Sequence, residues 1–103
     1  MSHYRILEKQ SFKNDLREIS NYIILNFSSV LAVKKLISEI NSKIQNLKEL
    51  PCAYPILYKY IDKSRDYRRI VVKNYSIIYY VLKEEKTVVI VHIYYNKRKF
   101  FNF

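Results

Sequence analysis

Residues 66–103 read DYRRIVVKNYSIIYYVLKEEKTVVIVHIYYNKRKFFNF, and this stretch decides the fold. Three runs rich in Val, Ile and Tyr, from Tyr67 to Lys73, Tyr75 to Leu82 and Thr87 to Tyr95, are separated by Lys73-Asn74 and by Lys83 to Lys86. Such residues favour strands, and connections this short join antiparallel neighbours, so the stretch predicts a meander of hairpins. The third run is dense enough in Val and Ile to belong at the centre of a sheet. Alternation along the first run puts Arg68, Ile70 and Val72 on one face and Tyr67, Arg69 and Val71 on the other. One arginine therefore points away from any covering helices, toward the concave side of the sheet or its rim, while its neighbour must snorkel or find a partner. Beyond the third run lies a basic, aromatic tail, Lys97-Arg98-Lys99 and then Phe100, Phe101 and Phe103.

Working outward, the first half supplies a cover for this sheet. His3 to Glu8 alternates weakly and predicts a short first strand, at a sheet edge or paired with a later strand. Ser11 is the candidate N-cap of a first helix, with Asp15 and Glu18 near its positive end. The spacing of Phe12, Leu16, Ile19, Ile23 and Phe27 makes one apolar stripe. After a break at Asn26 to Ser29, Ser28 or Ser29 caps a second helix with the stripe Val33, Leu36, Ile37, Ile40, Ile44 and Leu47. Leu50-Pro51 ends it, because proline restricts the residue before it and cannot continue the hydrogen bonding. A break this short makes the two helices an antiparallel hairpin that covers one face of a sheet. The connector from Pro51 to Arg65 has room for an irregular strand around Leu57 to Tyr60.

Composition bounds the function. A chain of 103 residues, half of them hydrophobic, is expected to form one domain, residues 1–103, with its own core. Nineteen Lys and Arg against nine Asp and Glu give a formal charge of +10. The first fifty residues carry 8 basic and 5 acidic groups and the rest carry 11 and 4, with no acid after Glu85. A field of this sign draws in polyanions. The single Cys52 forms no disulfide framework and suits a reducing cytosol. His3 and His92 lack neighbours at metal-ligand spacing, so neither metal nor cofactor is expected. The absence of glycine excludes P-loop and Rossmann phosphate cradles, and leaves turns to Asn, Ser and charged residues. No apolar run spans a membrane or suggests a cleaved signal, so a soluble, cytoplasmic protein without a membrane partner is expected.

The whole pattern resembles the RelE/ParE superfamily of bacterial toxins. The residues that carry the resemblance are Asp15-Leu16, Ile19 and Tyr22-Ile23 on the first helix, Leu47 and Leu50-Pro51 at the end of the second, then YRRIVVKNYSIIYYV and IYYNKRKFF. The resemblance implies an α+β fold: an N-terminal strand and a helical hairpin packed on a small twisted antiparallel β-sheet. It also implies a type II toxin–antitoxin pair, in which a cognate antitoxin, acidic in its wrapping segment, silences the toxin. RelE-like members cut mRNA on the ribosome without metal; ParE-like members inhibit DNA gyrase.

Cleavage requires a base for the 2′-hydroxyl, cations around the phosphate and a donor to the leaving oxygen. Residue by residue, the nuclease pattern is partly kept. Arg68 matches one of two basic positions on the first meander strand, and Ile70 replaces the other. Tyr75 is followed by Ser76 where an arginine is usual, Arg98 is retained, and Phe101 and Phe103 stand where a tyrosine is expected. Nuclease candidates are thus Arg68, Arg98, Lys73 and Tyr95. Target or nucleic-acid contacts are expected from Arg68, Arg69, Lys73, Lys97, Arg98 and Lys99. His92, on a strand of valines and isoleucines, reads as a packed or rim residue, and Tyr94 and Tyr95 point to opposite faces. The missing arginine and the long helical hairpin tilt the reading toward gyrase inhibition over ribosome-dependent mRNA cleavage. A non-toxic RNA-binding module that stacks bases on exposed tyrosines is the reading from outside the superfamily.

Overall fold

A computed structural model describes residues 3–57 and 65–97. The chain forms β1 (Arg5–Glu8), α1 (Gln10–Phe27), α2 (Val30–Asn46), β2 (Arg68–Val72), β3 (Tyr75–Leu82) and β4 (Thr87–Tyr95). The strands lie in one sheet of order β1-β4-β3-β2. The meander is antiparallel, as its short turns require. β1 reaches the sheet through the helical hairpin instead of a tight turn, and it pairs with β4 in parallel, Arg5 opposite Thr87 and Glu8 opposite Ile90. The sheet is therefore mixed, and β4 is internal as its composition demands.

The apolar stripes of both helices converge on one face. Phe12, Leu36, Ile40, Ile44 and Leu47 pack with Ile70, Val72, Ile77, Tyr79, Val88, Ile90 and Ile93 in a dry core. Phe27 departs from the expected stripe. At the last position of α1 it lies beyond the sheet and is largely exposed. Ser11 departs as well. The helix begins two residues earlier than that cap implies, with Lys9 at the cap position and no side-chain cap. The Ser11 hydroxyl instead donates to the Val91 carbonyl at 2.6 Å, tying the helix to β4. Ser29 does cap α2, its Oγ accepting from the Ala32 N–H at 3.1 Å.

The far face of the sheet is not open at its centre. Tyr67, Ile78, Tyr80, Val89, Val91 and Tyr94 form a second buried cluster, with Leu57 and Leu82 against it. Burial on both faces explains why β4 reads as an unbroken apolar run instead of an alternating one. Of the expected connector strand, Leu57 to Tyr60, only Leu57 is described; its N–H donates to the Tyr67 carbonyl at 2.7 Å, and just before it Ile56 bridges Arg68 antiparallel while the Arg69 N–H donates to the Pro55 carbonyl at 3.3 Å. The remainder of that expectation falls outside the described residues.

A bulge in β4 matters for everything after it. Ile78 faces His92 while Tyr79 faces Ile90, leaving Val91 as an extra residue. Ile93 therefore returns to the helix side and Tyr94 to the far side. Left-handed backbone at Ser28, Lys73 and Lys86 shapes the tight turns, in a chain without glycine. Among the described residues no helix is long and apolar enough to cross a membrane.

Candidate functional site

The expected cations fall at three separate places. Arg68 opens β2 on the helix side. Its Nη1 donates to the Tyr54 carbonyl at 2.7 Å and to the Cys52 carbonyl at 3.4 Å. Beside it the Tyr79 hydroxyl donates to the Pro51 carbonyl at 2.8 Å. Burial pushes the Tyr79 phenol up to about 12, against the opposing pull of the Arg68 charge. The two side chains thus clamp the first turn of the connector that follows α2. The need for Arg68 to find a partner is met by backbone carbonyls, which no spacing pattern announces.

Arg69 lies on the other face and lines a shallow depression with Tyr54, Pro55, Ile56, Leu57 and Val71. Its charge also reaches Tyr94. Burial raises the Tyr94 phenol above its ordinary value, with the hydrogen bond to Ser76 and the Arg69 charge acting the other way. Ser76 is itself fully buried and donates to the Asn96 side-chain oxygen. The position where the nuclease pattern has an arginine is therefore a dry pocket that suits a small hydroxyl. A phenol held neutral in this way is unfit to act as a base at neutral pH.

Lys73 sits in the β2–β3 turn, where its Nζ lies 3.3 Å from the Glu39 carboxylate of α2. Both side chains are about half exposed, so the pair is weak and leaves the lysine accessible to a partner. Lys97 is exposed just beyond β4. Tyr75 and Tyr95 face each other across the sheet, and the Asn96 N–H donates to the Asn74 carbonyl at 2.7 Å, so both lysines belong to the same end of the sheet. Arg68 lies at the opposite end of β2, roughly 17 Å away along the strand. Arg98 and Lys99 lie outside the described residues.

Next to the two lysines a cleft of about 560 Å³ opens between α1 and the ends of β3 and β4, lined by Asp15, Glu18, Ile19, Tyr22, Ile23, Phe27, Asn74, Tyr75, Ile93, Tyr94 and Tyr95. Tyr95 is partly exposed, and its ring packs against Tyr75 at 5.5 Å. The Tyr75 phenol is raised, chiefly by burial and then by its neighbours Tyr95 and Tyr22. At the cleft's inner end one Asp15 oxygen receives the Ile93 N–H at 3.1 Å and lies 2.7 Å from His92 Nδ1. His92 is thus a rim residue anchored to α1. The sequence marks Asp15 as a charge near the helix start and as part of the family resemblance, but no acidic residue lies in the first turn of α1, and the partners of Asp15 lie 77 and 78 residues away, beyond the reach of local spacing. Among the described residues no cluster of His, Cys, Asp and Glu gathers at metal-binding distance.

Two solved structures superpose on nearly the whole chain. The toxin–antitoxin complex RelBE2 from Mycobacterium tuberculosis gives a TM-score of 0.62 at 16% identity, covering 92% of this chain and 93% of that one. The archaeal RelE–RelB complex from Pyrococcus horikoshii OT3 gives 0.59 at 17%, covering 93% and 98%. At these identities the likeness is one of fold. No curated protein matches the sequence. The family model described as the ParE toxin of type II toxin-antitoxin system, parDE, matches residues 6–100. With that match spanning nearly all of β1 to the end of β4 and beyond, the chain belongs to the ParE toxin family of type II toxin–antitoxin systems.

Proposed function

We propose that this toxin arrests growth by inhibiting DNA gyrase, and that a cognate antitoxin, acidic in its wrapping segment, neutralises it by covering the basic end of the sheet. The observation that carries the reading is the scatter of the cations. Phosphodiester cleavage needs several positive groups around one phosphate. Here Arg68 is engaged by the Cys52 and Tyr54 carbonyls, Arg69 is on the opposite face, and Lys73 and Lys97 are at the far end of the strand. Ser76 is buried and bonded to Asn96, so it neither supplies a cation nor leaves room for one. What remains among the described residues is a basic corner suited to binding an acidic surface electrostatically, through Lys73 and Lys97. The +10 charge speeds the encounter with an acidic antitoxin as well as with the target.

The test is a pair of assays on the purified chain. Gyrase with relaxed plasmid should lose supercoiling activity, while programmed ribosomes should keep their message intact. Cleaved message beside unaffected gyrase overturns the proposal in favour of ribosome-dependent mRNA cleavage. Expression alone should arrest growth, and co-expression of a small acidic protein from the neighbouring reading frame should relieve it. Failure to arrest growth points to the non-toxic binding module.

A further inference from the structure

From Ile19 to Val33 the sequence runs without a single charge, although 27% of the chain is charged. That stretch forms the tip of the helical hairpin, and the tip is bare. Leu25 is 82% exposed, Phe27 67%, Leu31 62% and Tyr22 60%, with Val30 beside them more than half exposed. Phe27 leans edge-on against Tyr22, ring centres 6.3 Å apart.

The tip is also built to hold its shape. Only Ser28 and Ser29 join the helices. Ser28 takes the left-handed conformation and donates its N–H to the Ile24 carbonyl at 2.9 Å, while the Ser29 hydroxyl caps α2. α1 carries no basic residue in its last turn and α2 no acidic residue in its first. The helix dipoles favour both. A chain with nineteen Lys and Arg leaves them out where the ends of α1 and α2 meet.

A polyanion or an acidic segment gains little from such a surface. Two copies of the chain gain a great deal. Each carries +10, so copies repel one another except where charge is absent, and the hairpin tip is that place. The exposed side chains there offer on the order of 600 Å², large for a monomer and about what one partner contributes at the low end of specific interfaces. In a twofold contact the exposed Glu18 at one border of the patch can meet the exposed Lys34 and Lys35 at the other border of the second copy. We propose that the charge-free hairpin tip is the interface of a homodimer, two hairpins packing as four helices.

Sedimentation equilibrium of the full chain over a range of concentrations, at low and high salt, tests this. The expected result is a concentration-dependent dimer that tightens with salt, because salt screens the repulsion between copies, whereas binding to a polyanion weakens. Leu25→Lys and Phe27→Lys should each weaken the dimer at least tenfold while leaving circular dichroism and melting unchanged, since both side chains are solvent-facing in the single copy. Leu25→Met should keep it. A chain monomeric at every concentration in high salt overturns the proposal, as does a dimer indifferent to both lysine variants. Two further arms identify the occupant in that event. Loss of binding to phosphatidylglycerol vesicles in Leu25→Lys assigns the tip to a lipid surface, and loss of affinity only for the antitoxin assigns it to that protein.

Discussion

Arg68 and Lys73 bracket the same strand, but substitution meets a different environment at each. Removing the Arg68 guanidinium leaves the Cys52 and Tyr54 carbonyls without their donor. Arg68→Ala should therefore lower stability by about 1–3 kcal/mol in urea unfolding. This changes what an activity loss at Arg68 would mean, because the residue is part-buried and structural where the sequence suggested a surface cation. Lys73→Ala breaks only a half-exposed ion pair and should stay within about 0.5 kcal/mol. Tyr79 gives a pH signature. Its folded pKa of about 12 lies above the ordinary 10.0. The unfolded chain therefore ionises first as pH rises, and stability present below pH 10 is lost progressively toward pH 12. The loss amounts to roughly 2–3 kcal/mol, and Tyr79→Phe should flatten that part of the stability–pH curve. What the sequence disclosed at this scale was which residues are cations and which face of β2 each occupies. Their partners were hidden, because carbonyls of a connector leave no trace in side-chain spacing.

At the scale of elements, the connection between α1 and β4 rests on a few polar contacts set into an apolar contact. Asp15 accepts the Ile93 N–H beside the bulge and lies close to His92, while Ser11 donates to the Val91 carbonyl. Asp15→Ala should cost about 1–3 kcal/mol by stranding the Ile93 amide. A thermal-melt cycle with His92→Ala should then show coupling of at least about 0.5 kcal/mol between the pair. Ser29→Ala should lower stability by about 1 kcal/mol through loss of the α2 cap. All the strands of the meander and both helices were legible beforehand, since periodicity and the Leu50-Pro51 stop are local signals. The parallel placement of β1 was not. A four-residue strand carries no mark of the neighbour it will choose. The first helix cap was misread for a related reason: Ser11 has the right chemistry for a cap, but the Val91 carbonyl across the molecule claims its hydroxyl.

For the whole molecule, the decisive property is the separation of two surfaces. The basic corner of Lys73 and Lys97 suits an anionic macromolecule, and the hairpin tip beside it has no charge at all. Their responses to salt should be opposite. Binding of the chain to heparin should fall steeply as salt rises, and replacing Lys73 and Lys97 together with Ala should reduce the log–log slope by about 2. Composition made the basicity plain. The clustering of exposed apolar residues did not show in the periodicity, because Phe27 continues the stripe that packs Phe12 and merely runs off the end of the sheet.

The extra residue in β4 gives the strand slack at one point. Deleting Val91 would restore plain alternation and keep every later pairing, with His92 still opposite Ile78 and Tyr95 still opposite Tyr75. A deletion at Ile93, where no bulge takes up the difference, would instead exchange the faces of Tyr94 and Tyr95. A single-codon loss is thus absorbed at one position and re-addresses the end of the strand two codons later.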